Sequence, residues 1–476
     1  MRVFSHFIVM AFFCMAGSTH LQAQELLGTR LSNYAGINAA NLNPAAVGNM
    51  PYNWDLNIVT VGAFVETNYA YLLNQSVLSA QGEDSWEWQG SNSDLGTENV
   101  GLYDYDNTSG KKRSSFSAFA MLPSLAIRKG SWTFGFISQL RAEGNASGVA
   151  GGFSYYSYDN LPVGTSFQQD KVSVAAANWV SLGLHLGKTV QSTGFSEVSI
   201  GANVNYLLPV AGGFFQLNES ATVTKTENGI DLSSLDANFA HYRNGEDWNP
   251  LDPAAGRGLS VDLGMQVKQG IDREGNYTWR FGASIVDLGY LHFSEATAYE
   301  IKTDETVNIN NNNYEGVNDE AEFAAVLSRE ALGDPTAAIV DRSFKLFTPA
   351  GISLQADYRL MKRIFLSGLI VRRLAATGNT IKRTNMVAIA PRFESRWLEV
   401  QLPISFINDS KLRTGLSMRL GYLTIGSEDL GSWMKSDRLQ SADLYVSLKV
   451  NPFNVTKGQR NRNIKAGKVS CPRIGS

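Results

Sequence analysis

Apolar and polar residues alternate with period two along this chain, in segments of about ten residues, and no segment reaches the ~18 uninterrupted apolar residues of a helical membrane span. From Glu197 to Leu208 one face carries Val198, Ile200, Ala202, Val204, Tyr206 and Leu208, and the other Glu197, Ser199, Gly201, Asn203 and Asn205. The pattern repeats over Leu259–Lys268, Ala350–Leu360, Leu412–Tyr422 and Ala442–Val450. A strand of that length crosses a bilayer when tilted, with its apolar side on lipid and its polar side on a wet lumen. A soluble sandwich with one solvated face gives the same alternation. The polar faces decide against it, because they carry many glycines and charges of both signs. The connections agree: 128–130, 361–363 and 395–396 are tight, whereas 67–113, 144–172, 209–257 and 303–345 are long and polar. The expectation is an all-β transmembrane antiparallel barrel with long extracellular loops.

Thirteen strands can be counted, starting near residues 53, 114, 131, 173, 197, 258, 277, 349, 363, 384, 397, 411 and 442. Single-chain bacterial barrels have an even number, so about fourteen are expected. The stretches 213–225 and 289–302 are the candidates for a missed strand, and the alternation of short and long turns loses phase near the C-terminus.

The rest of the chain divides around the barrel, assigned to residues 53–453. Residues 1–23 read as a signal peptide, with Arg2 as the basic region, Phe7–Ala16 as the apolar stretch and cleavage after Ala23. Cleavage removes Cys14 and leaves Cys471, so no intrachain disulfide is expected. Residues 24–52 are rich in Asn, Ala and Gly, and Tyr34, Leu42, Pro44 and Val47 are able to pack; a plug lying in the lumen is the expectation, with Tyr34, Asn41, Asn43 and Pro44 as its contact residues. Asp319–Leu332 has helical character and is read as the cap of an extracellular loop. Residues 454–476 carry Lys457, Arg460, Arg462, Lys465, Lys468 and Arg473 without an acid and read as a basic periplasmic tail.

Composition narrows the function. Lys plus Arg is 41 against 44 for Asp plus Glu, a net charge of −3, which argues against a nucleic-acid partner. His185, His241 and His292 have no metal-ligand spacing, and neither a G-x-S-x-G nor a phosphate-loop motif occurs. No enzyme, cofactor or metal is expected. Asp104, Asp106 and Asn107 have a spacing reminiscent of calcium ligands, but a solvated acidic loop is the simpler reading. Trp86 and Trp88 in that loop are read as contacts to sugar or a partner, or as membrane-interface anchors. On the inward faces His185, Asp262, Arg280, Asp287, Asp357, Arg359, Arg392, Glu394, Glu399, Arg413, Arg419 and Asp443 are expected. They can act as a selectivity lining. The favoured reading is structural, with Arg and carboxylate ladders holding a narrow barrel together.

The leader Ser32–Asn38 with Asn41–Ala46, the stretch Gly282–Gly289, and Gly421–Leu430 with Ala442–Val446 resemble a family of outer-membrane barrels of unknown function from Bacteroidetes. More distantly the chain is similar to the long-chain fatty-acid transporter superfamily and to barrel components of type IX secretion and gliding. The resemblance implies a fourteen-stranded barrel plugged by its N-terminal segment, with no catalytic residues. Two functions follow as expectations. One is a passive channel for a poorly soluble small molecule, with an apolar pocket near the plug. The other is a secretion or surface-complex accessory, or a non-transporting anchor, with outer-membrane lipid and a periplasmic or surface protein as partners.

Overall fold

The computed structural model describes residues 25–83, 85–88, 100–106, 112–155, 161–243, 256–272, 277–317, 319–374, 379–408 and 411–452. The signal peptide and the basic tail lie outside the described residues.

Fourteen antiparallel strands close into a barrel. They are β1 (Trp54–Thr67), β2 (Lys112–Met121 and Ser124–Lys129), β3 (Trp132–Val149), β4 (Val172–Ser192), β5 (Ser196–Leu217), β6 (Arg257–Gln269) and β7 (Trp279–Phe293). The second half is β8 (Phe344–Phe347 and Gly351–Met361), β9 (Ile364–Arg373), β10 (Met386–Glu394), β11 (Leu398–Gln401 and Ile404–Ile407), β12 (Lys411–Thr414 and Leu416–Leu420), β13 (Leu423–Ser427) and β14 (Ser441–Val450). Each strand pairs with its sequence neighbours, and β1 pairs with β14 from Leu56↔Val450 to Glu66↔Ser441, so the ladder has no free edge. Prolines fall at the interruptions of β2 and β11: Pro123 and Pro403 have no N–H to give the ladder.

The missed strand is neither 213–225 nor 289–302. The first stretch is the end of β5 followed by Ala221–Lys225, which belongs to a small separate sheet; the second is the end of β7 followed by Thr297–Thr303, which pairs with Leu235–Arg243. The fourteenth strand is β13. It is only five residues long and follows a tight turn at Gly421, whose φ of 59° suits glycine. Counting it restores the alternation of strand direction to the C-terminus, but not that of turn length, since the connection from β11 to β12, residues 408–410, is also short. The connections after β2, β4, β8, β10 and β12 are short, and those after β1, β3, β5 and β7 are long.

The period-two pattern maps onto the wall as the physics of lipid and lumen requires. Leu182, Leu184 and Leu186 of β4, Ile200 and Val204 of β5, Leu263 and Met265 of β6 and Phe281 of β7 point outward and are exposed. Their alternating neighbours His185, Asn203 and Asp262 are buried inside. So many exposed large apolar side chains on a closed sheet are stable only against lipid.

On the long-loop side β4 and β5, of 21 and 22 residues, continue beyond this apolar belt. There they support a packed cap. Val223, Leu232, Val307 and Ile309 of a four-stranded sheet (Ser166–Gln169, Ala221–Lys225, Gly229–Leu232, Val307–Asn310) bury one face against Leu217, Ile301 and Ala324. Ala324 and Leu327 come from the helix Glu320–Leu332, which starts where expected: Asp319 accepts from the Glu322 N–H at 2.7 Å, and Gly333 ends it at φ 81°. A second small sheet joins Ala70–Gln75, Ser85–Trp88, Val100–Tyr105 and Ser436–Leu439; Trp86 lies in it, over Gly101.

Candidate functional site

Residues 25–52 lie inside the barrel, and local sequence explains their path. Gly36 has φ 56° and a Cβ there would sit 2.0 Å from the Asp55 carboxylate, so only glycine passes this point. Asn43 caps the 3-10 helix Pro44–Asn49 by accepting from the Ala45 N–H at 3.0 Å, with Pro44 at its first position. Ile37, Val47 and Met50 pack on Met121, Ala126 and Ile137 of the wall. Leu27, Leu31 and Leu42 pack on Phe64, Leu369, Val371 and Met386.

The wall is shaped to receive this segment. Gly201, Gly264 and Gly282 stand on three neighbouring strands beneath Asn43 and Pro44. A Cβ on Gly201 would lie 2.5 Å from the Pro44 carbonyl carbon, one on Gly264 2.1 Å from Asn43 Oδ1, and one on Gly282 2.7 Å from Asn43 Nδ2. The glycines of the inward faces are there because a second backbone runs over them.

Polar groups of the segment bond to strands all round the barrel. Asn43 donates to the Met265 carbonyl and to Gln355 at 3.1 and 2.8 Å, the Asn41 side-chain Oδ1 accepts from Gln139 at 2.7 Å, and Asn49 and Gln266 exchange two bonds of 2.6 and 2.7 Å. Asn38 donates to Thr60 on β1 and to Ser447 on β14, at 3.0 and 3.2 Å. Lys449 of β14 donates to the Tyr34 carbonyl at 2.9 Å and pairs with Asp55 of β1 at 3.2 Å, while Asp55 accepts from the Ile37 N–H at 2.9 Å.

Charges occupy the lumen in two clusters. Toward the short turns, Asp357 accepts from Arg280 at 3.0 Å, Arg392 at 3.1 Å, Ser367 at 2.7 Å, and Tyr277. Arg392 also pairs with Glu394 at 2.9 Å, and both arginines donate to the Leu31 carbonyl, at 2.7 and 3.1 Å. Arg419 pairs with Glu399 at 3.2 Å and lies over the Tyr34 ring at 4.5 Å; Glu399 accepts from Ser32 at 2.6 Å. Toward the long loops, Glu25 pairs with Arg30 at 3.3 Å and Arg383 at 2.8 Å. Arg383 reaches Asp287 at 2.8 Å, and Asp287 also binds Arg141, which pairs with Glu143. Asp287 has φ 56° at a bulge of β7, which turns its carboxylate inward.

The remaining residues expected inside are placed as follows. His185 is buried and bonded through Nδ1 to Asn203 at 2.7 Å. Asp262 accepts from Asn203 and Asn205 and from the Asp287 N–H. Arg413 pairs with Glu66 at 3.2 Å and Asp429 at 3.6 Å, and Asp443 accepts from the Glu428 N–H. Arg359 differs: it sits at the short-turn rim, paired with the exposed Asp272 at 2.9 Å, because the strand ends two residues later at Met361. Glu25, Arg30, Arg141 and Arg383 were not singled out from sequence. Arg383 lies just before β10, and only the closed fold brings it against Glu25 and Asp287 in the lumen.

A pocket beside the segment, about 20 Å³ and so roughly the size of one water, is lined by Arg30, Asn41, Gln139, Arg141, Asp287 and Arg383 among others. It is polar, not the apolar pocket expected for a greasy solute. Among the described residues no cluster of His, Cys, Asp or Glu is arranged to hold a metal. Asp104 instead accepts from Tyr71, and Asp106 pairs with Lys112 at 3.4 Å.

Among solved structures the chain is similar to the toluene transporter TodX of Pseudomonas putida, at 11% identity over 90% of this chain and 96% of that one, with a TM-score of 0.38. It is similar to the toluene transporter TbuX of Ralstonia pickettii, at 11% identity over 87% and 93%, TM-score 0.38. The translocator domain of the autotransporter NalP from Neisseria meningitidis follows at 7% identity over 83% and 88%, TM-score 0.29. No curated protein matches the sequence. A family model does match, over residues 44–428, which is most of the barrel: the chain belongs to the family of unknown function DUF5723.

Proposed function

We propose that this protein is an outer-membrane barrel held shut by its own N-terminal segment, and that it works as an anchor for a surface or secretion complex. The observation that carries the reading is the filled lumen: residues 25–52 bond to strands on every side and bury two charge clusters against the wall. A segment held by so many directional bonds is a fixed filling rather than a loose lid. The cap built on β4 and β5 then offers the working surface outside. The basic tail, residues 454–476, offers a charged contact in the periplasm.

The test is conductance in planar bilayers. The whole protein should be silent, and a variant lacking residues 25–48 should pass ions steadily; equal behaviour of the two removes the plug. A pull-down from native outer membranes, with and without residues 455–476, tests the anchor. A stoichiometric partner lost on trimming supports it. A barrel that comes out alone carrying an apolar molecule turns the reading to uptake.

A passive channel is the second reading. It is favoured by the small polar pocket beside the segment, because the Arg30, Asp287 and Arg383 that line it also hold the segment. A solute entering there meets the contacts that keep the barrel closed.

A further inference from the structure

We propose that the outer wall of β6, β7 and β8 carries a binding site for the phosphates of a phosphorylated glycolipid in the leaflet on the long-loop side. The inference rests on the reading of the barrel as membrane-spanning with its long loops outside.

The site follows from register. Arg257 of β6 faces His292 of β7, and His292 faces Lys345 of β8. All three lie on the outward face, since each is two residues beyond an exposed apolar neighbour in the same row: Leu259, Tyr290 and Phe347, which are 44%, 40% and 40% exposed. Neighbouring strands are ~4.8 Å apart, so the three side chains span ~10 Å, the width of one headgroup.

Their height is fixed by β7. Its outward apolar residues run from Trp279 near the short turn to Tyr290. Those eleven steps, at ~3.4 Å each and tilted ~40°, cover ~28 Å, against ~25 Å for the apolar band of an outer-membrane barrel. Tyr290 is therefore at the interface, and the Arg257–His292–Lys345 row lies one rank further out, among headgroups. Lys345 sits over the Tyr290 ring at 5.5 Å, its ammonium held at that boundary. Among the described residues neither Arg257 nor Lys345 has an ion-pair partner, and both side chains are exposed. Arg342, exposed just beyond Lys345, is offset by the neighbouring exposed Asp341, and Glu295 is a second acid near the loop end of β7, so the net positive charge rests on the Arg257–His292–Lys345 row itself. A row of cations without carboxylates, on the membrane side of an apolar belt, is complementary to anionic lipid. The alternative, a solvated charged rim, needs no such register.

The whole protein in phosphatidylcholine vesicles is compared with the variant Arg257→Gln, His292→Gln, Lys345→Gln. Each is titrated with lipid A bearing its phosphates, with the same lipid dephosphorylated, and with inorganic phosphate, and thermal unfolding is followed. The phosphorylated lipid should stabilise the native protein, and the variant should bind it on the order of 30-fold more weakly, about fivefold per lost Arg or Lys cation. Lys345→Arg should keep the binding. Equal binding by native protein and variant, or an equal response to the dephosphorylated lipid, overturns the proposal. An equal response to inorganic phosphate overturns the lipid source. Heat-dependent gel mobility reports barrel formation separately. A variant without the folded barrel form is replaced by Lys345→Gln alone, for which about fivefold is expected. If the native protein itself fails to insert, the barrel reading falls with it.

Discussion

Asp357 and Arg359 sit two residues apart on β8, both face inward, and they should differ sharply when neutralised. Asp357, with 3% of its side chain exposed, accepts from Arg280, Arg392, Ser367 and Tyr277. Asp357→Asn keeps the shape, so no cavity opens, but it removes the carboxylate charge. Arg392 retains Glu394 at 2.9 Å. Arg280 is left with two neutral acceptors, the Leu31 carbonyl at 2.7 Å and Asn33 Oδ1 at 2.9 Å. Removing one partner of a buried pair costs about 3–5 kcal/mol. Arg359 pairs with an Asp272 side chain that is 38% exposed, so Arg359→Gln should cost about 0–1 kcal/mol. Urea unfolding in lipid vesicles, followed by tryptophan emission and by gel mobility, measures both. A loss below about 1 kcal/mol for Asp357→Asn, or equal losses for the two, would refute the account of the lumen as a set of mutually compensated buried charges. Because Arg280 and Arg392 also hold the Leu31 carbonyl, Asp357→Asn should in addition produce brief openings in bilayer recordings where the native protein is closed.

Gly201→Ala places a methyl group 2.5 Å from the Pro44 main chain, so either the inner segment or the wall must shift; protease cleavage within residues 25–52 should rise while the folded barrel band persists. Gly130→Ala, at a turn with φ 64° and nothing near its Cβ, should leave the segment protected and lower stability by only about 1 kcal/mol through its left-handed backbone. Asp319→Ala removes the cap of an exposed helix and should lower the stability of the outer cap by about 1 kcal/mol, seen as faster amide exchange over Glu320–Leu332 with the barrel unchanged.

Most of the wall could be read from alternation because lipid and lumen impose opposite demands on successive residues of β4 to β9. The reading failed where that demand is weak. β13 has five residues and follows directly on a tight turn, so it offers no full stretch of alternation, whereas β11, though broken by Pro403, is counted from near residue 397. The inward charges were visible one by one on their strands. Their partners were not, since Glu25 and Arg383 are 358 residues apart and meet only once the barrel closes. The glycines were legible as a crowded lumen, but nothing local tells that Gly201, Gly264 and Gly282 face Asn43 and Pro44.

The bonds of Asn38 and Lys449 have a consequence for the order of assembly. Asn38 ties Thr60 on the first strand to Ser447 on the last, and Lys449 of the last strand holds both Asp55 of the first and the Tyr34 carbonyl. The seam is thus laced over the stretch that precedes the first strand. Seam closure and the seating of residues 25–52 therefore support each other, since Asn38 and the Tyr34 carbonyl gain partners from both edge strands only when the segment is in place as they meet. Assembly and filling are then one event: the part made first is enclosed last, and a barrel closed without it lacks these ties across its seam.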